Sequence, residues 1–411
     1  MWGLMEHQLP DLTAAQAAAR LGIKPETLYA YVSRGLLRRH KGIDGSRFDA
    51  LEVESFAGSR RTSRRSAPPA AGHSSGSPLM TIEHDITLLE DDRLYLRGRD
   101  VADLADRADF ETVCWWLWTR EWRPEQRFAA SEAGAAATAG VRAALPGAMT
   151  LRQQMQVQVT VIGSTDPLRN DLSPGSVARM GAEIIGGIVA ALPLAGSAPS
   201  PGTRLAARLW SRLSARAPDA DTLDLVEAAL ILLTDHDLAA STLAVRAAAS
   251  ARAHPYAVVA CGLGALDSAL HGNAGRSAYG MIGRRLAGES SDQAVAAAVV
   301  EHGRVPGFGH RVYRQADPRW ALLVDRLRRT TPDAPALVAV DEIVVAVRDR
   351  IAAFPNVDLA LAVIAHALEL DPGATELIFA LARCGGWIAH ALAEYAESPL
   401  RLRPEGRYTG P

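Results

Sequence analysis

The sequence predicts a mainly α-helical protein in two unequal parts, a small helical module followed by a large, almost entirely helical one. Two observations carry this. Across most of the chain, apolar residues recur at helical spacing in Ala- and Leu-rich stretches. An example is Thr222-Leu223-Asp224-Leu225-Val226-Glu227-Ala228-Ala229-Leu230-Ile231-Leu232-Leu233, with an N-cap candidate at its start. Residues 58–78, in contrast, are dense in Ser, Gly, Pro and Arg, bury nothing, and read as a flexible basic linker. The expected division is therefore 1–57, 58–78 and 79–411.

In the small module, Leu12 to Ile23 reads as a capped amphipathic helix ending at Gly22. Lys24 to Leu37 starts a second helix, with Pro25 in its first turn. Two short helices joined by a Gly-containing turn make a helix-turn-helix, whose second helix can enter a major groove. Arg38 to Phe48 reads as a glycine-turned hairpin, or wing, and Asp49 to Phe56 as a third helix. The whole resembles the winged helix-turn-helix of the MerR and excisionase class. That resemblance makes DNA a candidate partner, with Lys24, Thr27, Arg38 and Arg47 as candidate contacts. A packing or dimerisation role is the alternative for so small a module. Arg60, Arg61, Arg64 and Arg65 add either phosphate attraction or plain solubility to the linker.

Beyond the linker, strand-like alternation is confined mainly to Ile82–Leu96, where Asp91-Asp92 suits a hairpin turn. The bulk numbers bound the function. At 411 residues the chain can hold two or three domains, and a net charge of -2 excludes a wholly nucleic-acid-coating protein. Cys114, Cys261 and Cys384 have neither disulfide-framework nor zinc spacing and read as small apolar residues in helices. Residues 1–7 lack a secretory signal pattern. The most apolar run, Ile184–Leu192, contains Gly186 and Gly187, stops at Pro193, and is too short to span a bilayer. A soluble cytoplasmic protein with no membrane partner is expected.

Three short segments offer proton-handling side chains. They are Ala269-Leu270-His271-Gly272, Val305-Pro306-Gly307-Phe308-Gly309-His310-Arg311-Val312-Tyr313, and Phe354-Pro355-Asn356-Val357-Asp358. Two histidines and one aspartate, with no serine or cysteine nucleophile near them, suit enolisation of a weak carbon acid better than hydrolysis through an acyl-enzyme. A lone histidine is more often structural than catalytic. Two histidines and an aspartate, each set in a motif and in this order, change that balance.

In order and in flanks, this set resembles the citrate synthase family over about residues 80–410, with the most specific motifs in the C-terminal half. The resemblance implies a helical fold with large and small subdomains, and the roles that follow. His271 donates to a thioester oxygen, His310 polarises and protonates a keto oxygen, and Asp358 removes the methyl proton. Val305, Pro306, Gly307, Phe308 and Gly309 meet coenzyme A. His236, Arg319, Arg383 and Arg403 hold the keto acid, and Arg403 reaches the neighbouring subunit's site in a homodimer. The substrates implied are oxaloacetate and an acyl-CoA, acetyl-CoA or another short one, with no permanently bound cofactor and no metal.

His84, His254, His302, His366 and His390 have no comparable motif and read as core or surface residues. The flanks of His271 depart from the family pattern, with Asp267-Ser268-Ala269 before it and Arg276 after it. The competing reading is a transcriptional regulator that uses the large module as a metabolite sensor. A pure sensor has no need of Asp358, so the retained proton-handling set favours the enzyme.

Overall fold

The computed structural model describes residues 9–42, 45–65, 81–200, 202–268, 274–403, 405 and 407–410, with residues 61–65 described in the backbone alone. The N-terminal module opens with β1 (Asp11–Thr13) and α1 (Ala14–Leu21). A capping box starts α1: Gln16 N donates to the Thr13 hydroxyl, and the Gln16 side chain accepts from Thr13 N. Gly22, at φ 62°, ends the helix. α2 (Pro25–Ser33) begins on Pro25, where the missing N–H costs nothing. β2 (His40–Gly42) and β3 (Gly45–Asp49) form the expected wing, and β1 pairs with the other edge of β3. Leu12, Leu28, Leu37, Phe48, Leu51 and Val53 fill the core beneath.

α3 (Ala50–Arg65) is much longer than expected. Residues 58–65, read from composition as linker, continue this helix. Serine and arginine tolerate a helix, and the breakers Pro68 and Pro69 come only after it. The rest of the expected linker, 66–78, lies outside the described residues.

A hairpin follows, β4 (Thr87–Glu90) and β5 (Arg93–Leu96). Asp91 and Asp92 turn it at φ 49° and 55°, the left-handed pair that a tight two-residue hairpin loop demands. A short β6 (Arg99–Asp100), not foreseen, extends this sheet. The remaining elements described are helices. They are α4 (Val101–Arg107), α5 (Phe110–Thr119), α6 (Glu132–Arg142), α7 (Leu151–Thr165), α8 (Pro174–Ala191), α9 (Leu205–Leu213), α10 (Ala220–Leu233) and α11 (Ala240–Ser250). After these come α12 (Pro255–Leu266), α13 (Ala274–Leu286), α14 (Ser291–His302), α15 (Pro318–Thr330), α16 (Pro335–Ile351), α17 (Val357–Ala367) and α18 (Gly373–Tyr395). α10 begins earlier than its apolar pattern suggested, capped by the Asp219 carboxylate, which accepts from Thr222 N.

The chain forms two compact units. The first holds residues 1–83, 274–320 and 331–368, and the second holds 84–273, 321–330 and 369–411. In the first, α13 packs on α14, α16 and α17, and α3 of the N-terminal module packs on α14 and α16. In the second, α18 packs against α5, α7, α8, α10, α11 and α12. Among the described residues α18 alone is long and apolar enough to cross a membrane, and 83% of its most apolar window is buried. That burial marks it as the core helix of its unit. Cys114 and Cys384 are buried in helices as expected, whereas Cys261 is exposed on α12.

Candidate active site

Each unit gathers its own set of functional side chains. In the first unit, the segments leaving α14 and α16 lie side by side. Gly309 N donates to Phe354 O at 2.7 Å, Asn356 N donates to Gly307 O at 2.9 Å, and Phe308 forms a bridge with Pro355. Asn356 locks the pair: its side-chain amide donates to Gly309 O at 2.8 Å, while its side-chain oxygen caps α17 by accepting from Asp358 N at 2.9 Å. Gly307 is at φ 78°, and a Cβ there would sit 2.8 Å from the Leu359 Cβ, so only glycine permits this approach. Val305, Pro306 and Gly307 are buried, and Phe308 and Gly309 half-buried. His310 and Asp358 are therefore brought together by main-chain pairing of their segments, and both are half-buried.

The protonation of His310 follows from its neighbours. Its Nδ1 accepts from Val312 N at 3.1 Å and from Tyr313 N at 3.2 Å. With Nδ1 occupied as an acceptor, the neutral ring carries its proton on Nε2 and presents a donor there. Asp317 is the hub beside it. Its carboxylate accepts from Arg319 Nε at 2.9 Å, from Arg319 Nη2 at 2.8 Å and from Val357 N at 3.0 Å. Burial pushes Asp317 up, but Arg319, His310 and the Val357 N–H outweigh it and hold the carboxyl below its usual range. Arg319 is itself 2% exposed, and burial, which would lower its pKa, is outweighed by Asp317, Tyr313 and Asp358. Asp358 lies in the first turn of α17, beside the helix N-terminus.

In the second unit, Asp235 and His236 leave the end of α10 buried, and Asp237 turns the chain at φ 58°. Gly386 on α18 packs directly on this turn. Its N–H donates to Thr234 O at 3.0 Å, and a Cβ would sit 2.4 Å from Asp235 Oδ1. That close contact sets Arg383, one turn earlier on α18 and 3% exposed, beside Asp235. His390 Nε2 lies 3.3 Å from Asp235 Oδ2, and His84 Nε2 lies 2.9 Å from Asp237 Oδ1. Burial would raise Asp235, but His390, Arg383 and Thr87 bring it down to about 2.

A pH dependence follows. An aspartate lowered from its ordinary 3.8 contributes stability that is present above about pH 4 and is lost as pH falls toward 2. Asp235→Asn is expected to flatten the acid limb of denaturant-measured stability in that window. An unchanged acid limb contradicts the pairing.

Of the predicted residues, the structure brings His310, Arg319 and Asp358 together in one unit, while His236 and Arg383 lie in the other. Arg403 is exposed, on a tail anchored by Arg401, which donates to the buried Glu394 at 2.9 and 2.7 Å. His271 lies outside the described residues. Lys24 and Arg38 are exposed on the N-terminal module, and Thr27 and Arg47 half-buried. Sequence reading missed the supporting roles of Asp317, Asn356, Asp235, His84 and His390. Asp317 and Asn356 sat inside the motifs that named their neighbours. His390 lies seven residues after Arg383, a helical spacing that puts both on one face.

In the first unit a donor histidine and a half-buried aspartate stand with the buried Arg319, and in the second the buried Arg383 and His390 stand with Asp235, residue types suited to binding carboxylates and moving protons. A family model described as "Citrate synthase, C-terminal domain" matches residues 77–405, and one described as "Helix-turn-helix domain" matches 12–61. The chain belongs to the citrate synthase family. Citrate synthase 2 of Bacillus subtilis (strain 168) is 26% identical over 79% of this chain and 92% of its own length. The 2-methylcitrate synthase of Mycobacterium tuberculosis is 27% identical over 77% and 84%. The solved citrate synthase of Thermotoga maritima shares the fold at a TM-score of 0.65, with 24% identity, over 81% of this chain and 94% of that one. The Thermoplasma acidophilum citrate synthase, solved with carboxymethyl coenzyme A and oxaloacetate, does so at 0.67 and 22% identity over the same shares. The chain is a citrate synthase-type acyltransferase.

Proposed function

We propose that each catalytic step falls to a named residue. The Asp358 carboxylate takes a proton from the thioester methyl while His271 donates to the thioester oxygen, giving the enol. The enol carbon attacks the keto carbon of oxaloacetate, and the keto oxygen takes the Nε2 proton of His310. Water then cleaves the product thioester and releases free coenzyme A. Val305, Pro306, Gly307, Phe308 and Gly309 line the coenzyme A site. His236, Arg319 and Arg383 hold the carboxylates, with Arg403 contributed by the other subunit of a homodimer. No metal or resident cofactor enters these steps. The observation that supports the reading is the Asn356 lock, which ties the backbone leading to His310 to the start of the helix that carries Asp358.

Acetyl-CoA is the proposed donor. The 2-methylcitrate synthase relative makes propionyl-CoA the second candidate, since the extra methyl of that product has to come from the acyl chain. Thiol release from acetyl-, propionyl- and butyryl-CoA, with and without oxaloacetate, tests this. Release that requires oxaloacetate for at least one donor supports the reading, and its absence for all three defeats it.

The shared site predicts complementation. Mixing Arg403→Ala with Asp358→Asn protein under subunit exchange restores partial activity, because one site of the mixed dimer keeps both residues. No recovery despite demonstrated exchange contradicts the sharing.

Duplex DNA is proposed as a further partner, through the exposed Lys24, Arg34, Arg38, Arg39 and Lys41 of the N-terminal module. A cytoplasmic location is part of the same proposal.

A further inference from the structure

The N-terminal module is seated on the parts of its unit that lead to the catalytic segments. α3 packs on α14 and α16, and β1 also touches α14. These two helices are the ones whose C-terminal ends run straight into the functional loops. α14 ends at His302, and Val305 to His310 follow. α16 ends at Ile351, and Asn356 to Asp358 follow. The contact reaches the very end of α16, where a Cβ on Gly58 of α3 would lie 3.6 Å from Ile351 O. Arg350, the preceding residue, lines a cleft together with Arg38, Arg39, His40 and Lys41 of the wing. The two loops are in turn tied to each other by the Asn356 and Gly309 hydrogen bonds.

We infer that duplex DNA on the module and an acyl-CoA at residues 305–309 are thermodynamically linked through α14 and α16. This rests on the DNA partnership proposed above and gives it a regulatory consequence: the acyl-CoA load of the enzyme sets its hold on DNA. DNA lying along Arg38, Arg39 and Lys41 passes the Arg350 end of α16, and any shift of that end moves the Asn356 cap. A ligand at Gly307 pulls on the same cap from the other side. Two ligands that bias one packed element are coupled, and the coupling is reciprocal.

The test uses the full chain and a fluorescent duplex of about 30 base pairs at about 50 mM salt, where phosphate contacts are strong. The DNA Kd is read by anisotropy with and without saturating acetyl-CoA, with oxaloacetate withheld so that nothing turns over. The expected result is a change in DNA Kd of about fivefold or more, matched by the same factor in the acetyl-CoA Kd when DNA is saturating. DNA binding whose Kd stays within about twofold overturns the linkage and leaves the DNA partnership standing. No DNA binding in either condition overturns both. Gly58→Trp, which wedges α3 off the end of α16, is expected to collapse the shift. A full shift in a folded Gly58→Trp protein contradicts the route through α16.

Discussion

Asp358→Asn is expected to slow condensation by about 10²–10⁴-fold, the range that general-base help typically supplies. The substitution keeps size and shape but removes the charge that accepts the methyl proton. Asp358 is half-buried in the first turn of α17, and its main-chain N–H is already held by Asn356. The helix therefore has no reason to unravel, and stability is expected to change by about 1 kcal/mol or less, as for most exposed or half-exposed sites. Oxaloacetate affinity is expected to persist, because Arg319, Arg383 and His236 are untouched. The signature is a fall in kcat with melting and oxaloacetate binding intact. A variant within about threefold of wild type removes Asp358 from the base role.

Asp317→Ala has the largest expected effect on stability. The Asp317 and Arg319 side chains are 0% and 2% exposed, so deleting the carboxylate strands a buried guanidinium. Breaking one partner of such a pair costs about 3–5 kcal/mol. The Val357 N–H loses its acceptor as well, which loosens the first turn of α17 next to Asp358. Replacing both residues by leucine is expected to return most of the stability and none of the activity, because Arg319 is then missing from the keto acid. Denaturant titration of the single and double variants, beside their rates, checks this. A single variant that loses less than about 1 kcal/mol contradicts the hub.

How far the sequence spoke depended on whether local chemistry or tertiary packing decided the outcome. The β4–β5 turn was legible because Asp91 and Asp92 tolerate the left-handed region that the turn imposes. The starts of α1 and α2 were legible from Thr13 and Pro25 for similar local reasons. The end of α3 was not. Its basic, polar tail satisfies linker composition and helix propensity alike, and packing on α14 and α16 is a contact that no short window reveals. Catalytic candidates stood out because each sat in a motif. The residues that orient them did not, since the Asn356 bond to Gly309 and the Asp317 bond to Val357 join residues 47 and 40 apart. His84 and His390 looked like ordinary core histidines, and their role became visible only through Asp235 and Asp237.

The central claim is that Asp358 forms the enol from the thioester methyl. Proton exchange tests it with no later step in the way. The protein is incubated in heavy water with acetyl-CoA and a dicarboxylate analogue of oxaloacetate that carries a hydroxyl in place of the keto group. The analogue fills the keto-acid site without reacting. Wild-type protein is expected to place deuterium in the acetyl methyl group, and Asp358→Asn is expected to lose that exchange by about the factor it loses in condensation. Equal exchange by both proteins, or none by a wild type that condenses its substrates, contradicts the assignment.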